Sequence, residues 1–504
     1  MTLPTSFVSP AQPRSSTGIA GLDDILGGGL PSHHLYLVEG TPGAGKTTLG
    51  IQFLLQGVAQ GERGLYVTLS ETSVELNTVA ASHGWSLEGL KVFELVTVEG
   101  LSPDLEQSIL HPSEVELGET TRGVMAVVED YAPHRVVFDS LSEMRLLAQD
   151  PLRYRRQILA LKHFFTKQGC TVLMLDDRSA QSTDLQLHSI AHGVVSLEQT
   201  TSEYGEDKRY LRIAKLRGSK YRGGDHDFKL DTGGLAVYPR LIASEHQVQH
   251  AHRLGTTGNA GLDTMMGGGL TYGSNMLFAG PSGVGKTTTA MSCIAAALDR
   301  GEKVSYYLFD EGLGTLLARC EALGIGVDRH LQSGLLEIVA LDPAAVSPGE
   351  FATRVRRAVE ERGASVVGID SLNAYVQAMP GSKYLLLQMH ELLTYLNQSG
   401  VATILVLSQH GLFGDGGSDV DLSYLSDGIL LFRFFEARGN LLKAVSVVKS
   451  RTRHHELTIR EFRLGADGIQ VGAALTDFEG VMRGVSTYRG GQALLSDGPA
   501  IYKP

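Results

Sequence analysis

Gly40-Thr41-Pro42-Gly43-Ala44-Gly45-Lys46-Thr47 sets glycines, a lysine and a hydroxyl in the spacing of a phosphate-binding loop, G-x-x-x-x-G-K-[ST]. Glycines in such a loop let successive backbone N–H groups turn inward onto α- and β-phosphate oxygens. Lys46 would place a point charge on the β- and γ-phosphates, and the Thr47 hydroxyl would hold Mg²⁺. Thr41, Gly43, Ala44, Gly45 and Thr48 complete the expected contacts to ATP. The pattern returns at Gly280-Pro281-Ser282-Gly283-Val284-Gly285-Lys286-Thr287, with Lys286 following Lys46 by 240 residues. There Ser282, Gly283, Val284, Gly285, Lys286, Thr287 and Thr288 take the same expected roles. An upstream signature recurs in register as well: Thr17-Gly18, Gly21-Leu22-Asp23 and Gly27 to Leu30, against Thr257-Gly258, Gly261-Leu262-Asp263 and Gly267 to Leu270. Two accidental turns in one register are not credible, and the chain reads as a duplicated nucleotide-binding domain.

Turnover needs a metal-organising carboxylate and a group that positions the attacking oxygen. Asp139 and Asp370 each close an apolar run and precede a serine, the expected place for a carboxylate that holds Mg²⁺ with Thr47 or Thr287. Glu71 and Glu311 each lie 25 residues past the loop lysine, at the end of the next strand, where a carboxylate can polarise water or a hydroxyl. Asp310 precedes Glu311, whereas Ser70 precedes Glu71.

These groups need strands to end on and helices to begin on. His34–Gly40 reads as a buried strand and Thr48–Leu55 as a helix whose N-terminus favours an anion. Arg63–Leu69, Arg135–Asp139 and Cys170–Asp176 read as further buried strands, with a helix over Tyr154–Lys167. Alternating strands and helices with near-continuous apolar strands predict an α/β fold, a mostly parallel sheet covered on both faces. Gly193–Glu198 and Arg209–Lys215 look like antiparallel strands extending that sheet. The second half repeats the order through Lys303–Phe309, Ser365–Asp370, Val401–Leu407, Gly428–Glu436 and Leu441–Lys449. The expected organisation is a loose arm over 1–15, a first domain over 16–243, a polar linker over 244–254, a second domain over 255–474 and a tail over 475–504. His246, His250 and His252 in the linker read as solvated.

With 504 residues, 42% apolar and 20% charged, the chain has ordinary globular composition and length for two proper cores. No apolar run approaches the roughly 20 residues of a membrane helix, and no signal-peptide pattern opens the chain. Three cysteines without metal-type spacing fit reduced, buried thiols and a cytoplasmic location. A net charge of −11 counts against a nucleic-acid surface.

Both loops, the repeated glycine signature and the downstream segments together resemble the KaiC family, clock ATPases and autokinases, over roughly residues 15–485. The resemblance rests further on Lys215-Leu216-Arg217-Gly218-Ser219, on Lys449-Ser450-Arg451 and on Ile459–Phe462. It implies two tandem RecA-like P-loop NTPase domains, each with antiparallel edge strands, in a homohexamer with nucleotides at subunit interfaces. Lys215 and Arg217 would then act on a neighbour's first site, and Lys449 and Arg451 on its second, while Ser82 and Ser219 would lie near the first nucleotide. It also implies serine autokinase and autophosphatase chemistry in the second domain, and a KaiB-like or sensor-kinase signalling partner. Ser423 falls on the family's phosphorylated serine and Tyr424 on its threonine, which is a departure. A phenol oxygen stands further from the backbone, and in an extended segment Tyr424 would point away from Ser423. The second reading is a RecA/RadA-type ATPase dependent on nucleic acid; the acidic balance and the Ser423 segment favour the first.

Overall fold

The computed structural model of the chain describes residues 12–95, 112–148, 150–178, 185–201, 205–248, 250, 253–377, 384–408, 423–437, 439–465, 468–481 and 487–488. His252, residues 418–422 and most of the arm and tail lie outside these. The chain divides into two compact units, residues 1–240 and 241–504.

In the first unit the strands are β1 (Arg14–Ser15), β2 (Leu30–Pro31), β3 (Leu35–Gly40), β4 (Gly64–Thr68), β5 (Leu90–Glu94), β6 (Arg135–Asp139), β7 (Thr171–Asp177), β8 (Gly193–Thr200), β9 (Lys208–Leu216), β10 (Asp225–Asp231) and β11 (Gly234–Tyr238). The helices are α1 (Ala20–Leu26), α2 (Lys46–Ala59), α3 (Ser73–Ser82), α4 (Pro112–Tyr131), α5 (Leu141–Ala148), α6 (Pro151–Lys167) and α7 (Leu185–Ile190). Nine strands form one sheet in the order β11-β10-β9-β8-β3-β7-β6-β4-β5. β8 runs parallel to β3, and the antiparallel part begins only at β9. The expectation that Gly193–Glu198 is antiparallel is thereby corrected: its chain returns through α7 before entering the sheet, so it arrives in the direction of β3. Successive side chains of β3 alternate between faces. Tyr36 and Val38 pack with Leu49, Ile51 and Phe53 of α2, while Leu35 and Leu37 pack with Met144 of α5 and Ile158 and Leu161 of α6.

The second unit repeats this plan. Its strands are β12 (Leu254–Gly255), β13 (Leu270–Thr271), β14 (Ser274–Gly280), β15 (Val304–Leu308), β16 (Leu336–Ala340), β17 (Val366–Asp370), β18 (Ala402–Ser408), β19 (Gly428–Ala437), β20 (Asn440–Ser450), β21 (Arg460–Gly465), β22 (Gly468–Ala474), β23 (Phe478–Glu479) and β24 (Thr487–Tyr488). Its helices are α8 (Ala260–Met265), α9 (Lys286–Asp299), α10 (Leu313–Ala322), α11 (Asp328–Gln332), α12 (Pro348–Glu360), α13 (Leu372–Gln377) and α14 (Leu385–Gln398). The sheet order β16-β15-β17-β18-β14-β19-β20-β21-β22 matches the first position for position. The chain thus carries two tandem RecA-like α/β domains, as the loops imply.

Three stretches read as loose are more ordered than expected. Arg14–Ser15 pairs with Leu30–Pro31, because the Arg14 guanidinium donates to the carbonyls of Leu26 and Gly29 at 2.8 Å each. The polar segment after Arg240 packs on the second unit: the Ala243 N–H donates to Glu391, His246 meets Glu360 at 3.2 Å and sets its ring against Tyr395. His250 lies against Gly273 and Gly400. These histidines are packed rather than solvated: the His250 ring fills the space that two glycines leave, and His246 is held by a carboxylate and an aromatic ring. At the other end, Leu475, Phe478 and Val481 bury against Phe435 and Ala444. All three cysteines are buried free thiols, and among the described residues no helix is long and apolar enough to cross a membrane.

Candidate nucleotide sites

Each loop lies between a central strand and the helix that follows it. Gly43 and Gly45 have φ of 79° and 98°, and Gly283 and Gly285 have 76° and 116°, so L side chains are disfavoured at all four. Lys46 is nearly buried, its Nζ donating to the carbonyls of Gly40 and Thr41 at 3.0 Å each and pairing with Asp177 at 2.7 Å. Lys286 donates to the carbonyl of Pro281 at 2.8 Å. Burial pushes the Lys286 ammonium down to about 8, against the pull of Asp370 and Asp310.

Beside each lysine a hydroxyl meets a carboxylate: Thr47 donates to Asp139 at 3.1 Å and Thr287 to Asp370 at 2.7 Å. Tyr66 and Tyr306 donate to the same carboxylates at 2.5 and 2.8 Å. Burial raises the carboxyls of Asp139 and Asp370 above the ordinary range. A hydroxyl and a carboxylate side by side are hard oxygen donors, and this set fits Mg²⁺. Ser282, Gly283, Gly285, Thr288 and the acids of the second site border a cavity of about 380 Å³.

The candidate bases differ between the units. Glu71 has a buried Oε2 without a hydrogen-bond partner, and its carboxyl is raised by burial first, then by Asp139 and Glu75. Glu311 instead accepts from Arg319 Nη2 at 2.6 Å, and Asp310 accepts a short hydrogen bond from Ser371. Of the residues that border the loops, Asp177, Arg319 and the two tyrosines escaped the sequence reading. Asp177 had a findable signal, because it ends the strand beside β3 at the level of Gly40. The tyrosines had a weaker one, as residues on the strand adjacent to each aspartate.

Ser82 is exposed and donates to the Val79 carbonyl at 2.7 Å. It ends α3, and the helix phase turns it outward. His83, the next residue, faces the loop, with Nε2 3.3 Å from Thr48 Oγ1. At the end of α3 it is thus His83, and not Ser82, that the fold brings next to α2 and the loop.

The basic segments lie elsewhere. Leu216 is opposite Gly193, and Gly193 is opposite Tyr36, near the start of β3. The loop leaves β3 at its other end, after Gly40, about 13 Å further along the strand at 3.3 Å per residue. Lys215 donates to the carbonyls of His188 and Ala191, and Arg217 to that of Ser189, at this far end. Among the described residues neither forms an ion pair with a carboxylate, and Lys162 stands close enough to lower the Lys215 ammonium, after burial and Arg217. Ser219 is held near Arg14 at 3.4 Å. In the second unit Ser450 is opposite Gly428, which is opposite Met276, again at the start of the loop's strand. Lys449 donates to the Ser426 carbonyl at 2.6 Å, and Arg451 lies 3.8 Å from Asp427. Ser423 to Leu425 form a turn of 3₁₀ helix directly before β19, at this same end. The segment is therefore not extended, and the argument that Tyr424 must point away from Ser423 by strand alternation falls. Leu425 is buried and Tyr424 exposed, as a turn that tucks one apolar residue under the sheet requires.

The family model described as "ATPase: KaiC" matches residues 15–242 and 255–476. The chain is 28% identical to the circadian clock oscillator protein KaiC of Prochlorococcus marinus (strain MIT 9313) over 473 residues, 93% of this chain and 94% of that one. It is 24% identical to the circadian clock protein KaiC3 of Synechocystis sp. (strain ATCC 27184 / PCC 6803 / Kazusa) over 483 residues, 94% and 95% of the two chains. It is 25% identical to the circadian clock oscillator protein KaiC of Thermosynechococcus vestitus (strain NIES-2133 / IAM M-273 / BP-1) over 489 residues, 96% and 94% of the two chains. Two matched repeats, two loops of one geometry and sheets of one strand order make this chain a member of the KaiC family of ATPases.

Proposed function

We propose that the protein is an ATP-hydrolysing homohexameric ring whose second domain phosphorylates its own Ser423, acting in signalling or circadian-type timing in the cytoplasm. The observation that carries this reading is the position of Lys215 and Arg217, and of Lys449 and Arg451, at the sheet end remote from their own loops. Lys215 and Arg217, which donate there to main-chain carbonyls, favour an anion brought by another subunit. A head-to-tail contact that closes on itself gives a ring.

In the first domain Glu71 orients the attacking water and takes its proton, while Arg217 of the adjoining subunit neutralises the transferred charge. In the second, the Ser423 oxygen attacks the γ-phosphorus of ATP held by the adjoining subunit. One O–P bond forms, the bond to the β,γ-bridging oxygen breaks and ADP leaves. The serine proton passes to one acid of the Asp310-Glu311 pair, and Lys449 and Arg451 balance the charge. Mg²⁺ held through Thr47 with Asp139, and through Thr287 with Asp370, would neutralise the β- and γ-phosphate oxygens.

Incubation with Mg-ATP followed by native mass and phosphopeptide mapping tests the proposal. Six chains are expected, with phosphate on Ser423 and little on Tyr424, whose ring sets its oxygen further out. Unchanged phosphate incorporation in Ser423→Ala, or a monomer with full ATPase activity, would refute it.

A further inference from the structure

The two units keep a common offset from loop lysine to helix, so α3 and α10 can be compared residue by residue. Leu76 and Leu316 lie 30 residues past their lysines, and both are fully buried. At the offset of 33 the first unit has Val79, which packs on the apolar cluster under α2. The second unit has Arg319 there. Arg319 lines the nucleotide cavity and binds Glu311 Oε2 at 2.6 Å, with a third of its side chain still open. In the first unit the corresponding acid, Glu71, has a buried oxygen with no hydrogen-bond partner among the described residues.

We propose that Arg319 is a positioning residue of the second site, holding the Glu311 side chain in an ion pair so that this site hydrolyses ATP more slowly than the first. The inference rests on the reading of Glu311 as a proton acceptor there. A carboxylate that already accepts a charge-assisted hydrogen bond is a weaker base than one left unpaired beside other acids. Glu311 has acidic neighbours of its own, since both it and Asp310 press on the Asp370 carboxyl. Without Arg319 its Oε2 would lose that hydrogen bond, as Glu71 Oε2 lacks one among the described residues. Slow hydrolysis would leave bound ATP available for phosphoryl transfer.

The test is made in full-length chains carrying Glu71→Gln, which quiets the first site. Second-site turnover is the difference between this chain and one carrying Glu311→Gln as well. Arg319→Val, which copies the first unit and should therefore fold, is then added to the Glu71→Gln chain. The acid limb of its pH–rate profile should rise by about one pH unit, the low end for loss of an opposite charge because the pair is part-exposed. Its turnover number on the plateau should rise rather than fall, with the KM for ATP changed less. Arg319→Lys, which keeps the charge, should restore most of the parent profile. An unmoved acid limb and plateau in Arg319→Val, with Glu311→Gln clearly slowing the site, would overturn the role of Arg319 alone. If Glu311→Gln has no effect, the underlying reading of Glu311 fails and the inference falls with it.

Discussion

Mixing two damaged chains gives the sharpest test of where Arg217 acts. Arg217→Ala removes the proposed finger, and Glu71→Gln removes the proposed base. The strand distance from Tyr36 to Gly40, about 13 Å, keeps Arg217 from its own loop, because its backbone leaves the sheet at the level of Tyr36 and its guanidinium is turned onto the Ser189 carbonyl. Alone, Arg217→Ala should lose on the order of 10³-fold in first-site hydrolysis. That corresponds to roughly 4 kcal/mol of transition-state stabilisation. Glu71→Gln should lose on the order of 10²-fold. In a ring assembled from an equal mixture, about one interface in four joins the intact Glu71 of one chain to the intact Arg217 of the other. Phosphate release should then recover to about a quarter of the parent first-site rate and vary with mixing ratio as a parabola with its maximum at equal parts. Both chains carry Glu311→Gln to silence the second site, and they are mixed before Mg-ATP is added. A rate that only averages the two pure chains at every ratio would refute action between subunits.

Three further outcomes follow from particular contacts. Because burial, Asp139 and Glu75 raise the Glu71 carboxyl, ionising it costs stability, and that cost appears as pH rises from the ordinary value of 4.5 through the raised one. Glu71→Gln should therefore melt no lower than the parent at about pH 7 and lose any advantage near about pH 4, while the first-site acid limb disappears; scanning calorimetry and a pH–rate profile check both. Arg135 is fully buried, paired with Glu62 and bonded to the carbonyls of Ser16 and Phe53, so Arg135→Ala should cost about 3 kcal/mol in a urea titration. Lys46→Ala should weaken nucleotide binding and ATP-driven assembly, whereas Asp177→Asn, which frees Lys46 from a half-exposed rival, should tighten nucleotide binding by roughly two- to fivefold in calorimetric titration.

What the sequence made legible was whatever repeats or has a fixed spacing. The loops, the strand-ending aspartates and the order of the parallel strands all have local patterns that recur 240 residues on. Contacts across the sheet had no such pattern. Tyr66 donates to Asp139 across 73 positions, and Arg135 meets Glu62 at the same separation, so neither pairing could be read before the strand order was known. Strand direction at Gly193–Glu198 was misread because alternation marks a half-buried strand without saying which way it runs. The turn at Ser423 could not be told from an extended segment, since a single 3₁₀ turn is too short to leave a period in the sequence.

Duplication also shows which positions the nucleotide constrains. Around the loop the two units agree in glycine, lysine, threonine, aspartate and the tyrosine that bonds it. One step away they diverge in kind. Glu39, Asp176 and Ser196 share one level of the first sheet, and Ala279, Leu407 and Leu431 occupy that level in the second. The apolar trio simply joins the core. The polar trio must be compensated: Glu39 is met by His188 at 2.8 Å and Ser196 at 3.2 Å, and Asp176 by Arg145 at 2.6 Å. Buried charges of this kind seldom add net stability over an apolar replacement. Their effect is to tie β3, the strand that carries the loop, to α7, which leads to the basic segment, and its neighbour β7 to α5, which follows Asp139. The first unit therefore has a polar path running from the end of β3 through Glu39 and His188 toward the sheet end that bears Lys215 and Arg217, whereas in the second unit α13 is held to the end of β18 by Asn373 and the main chain of Ser408.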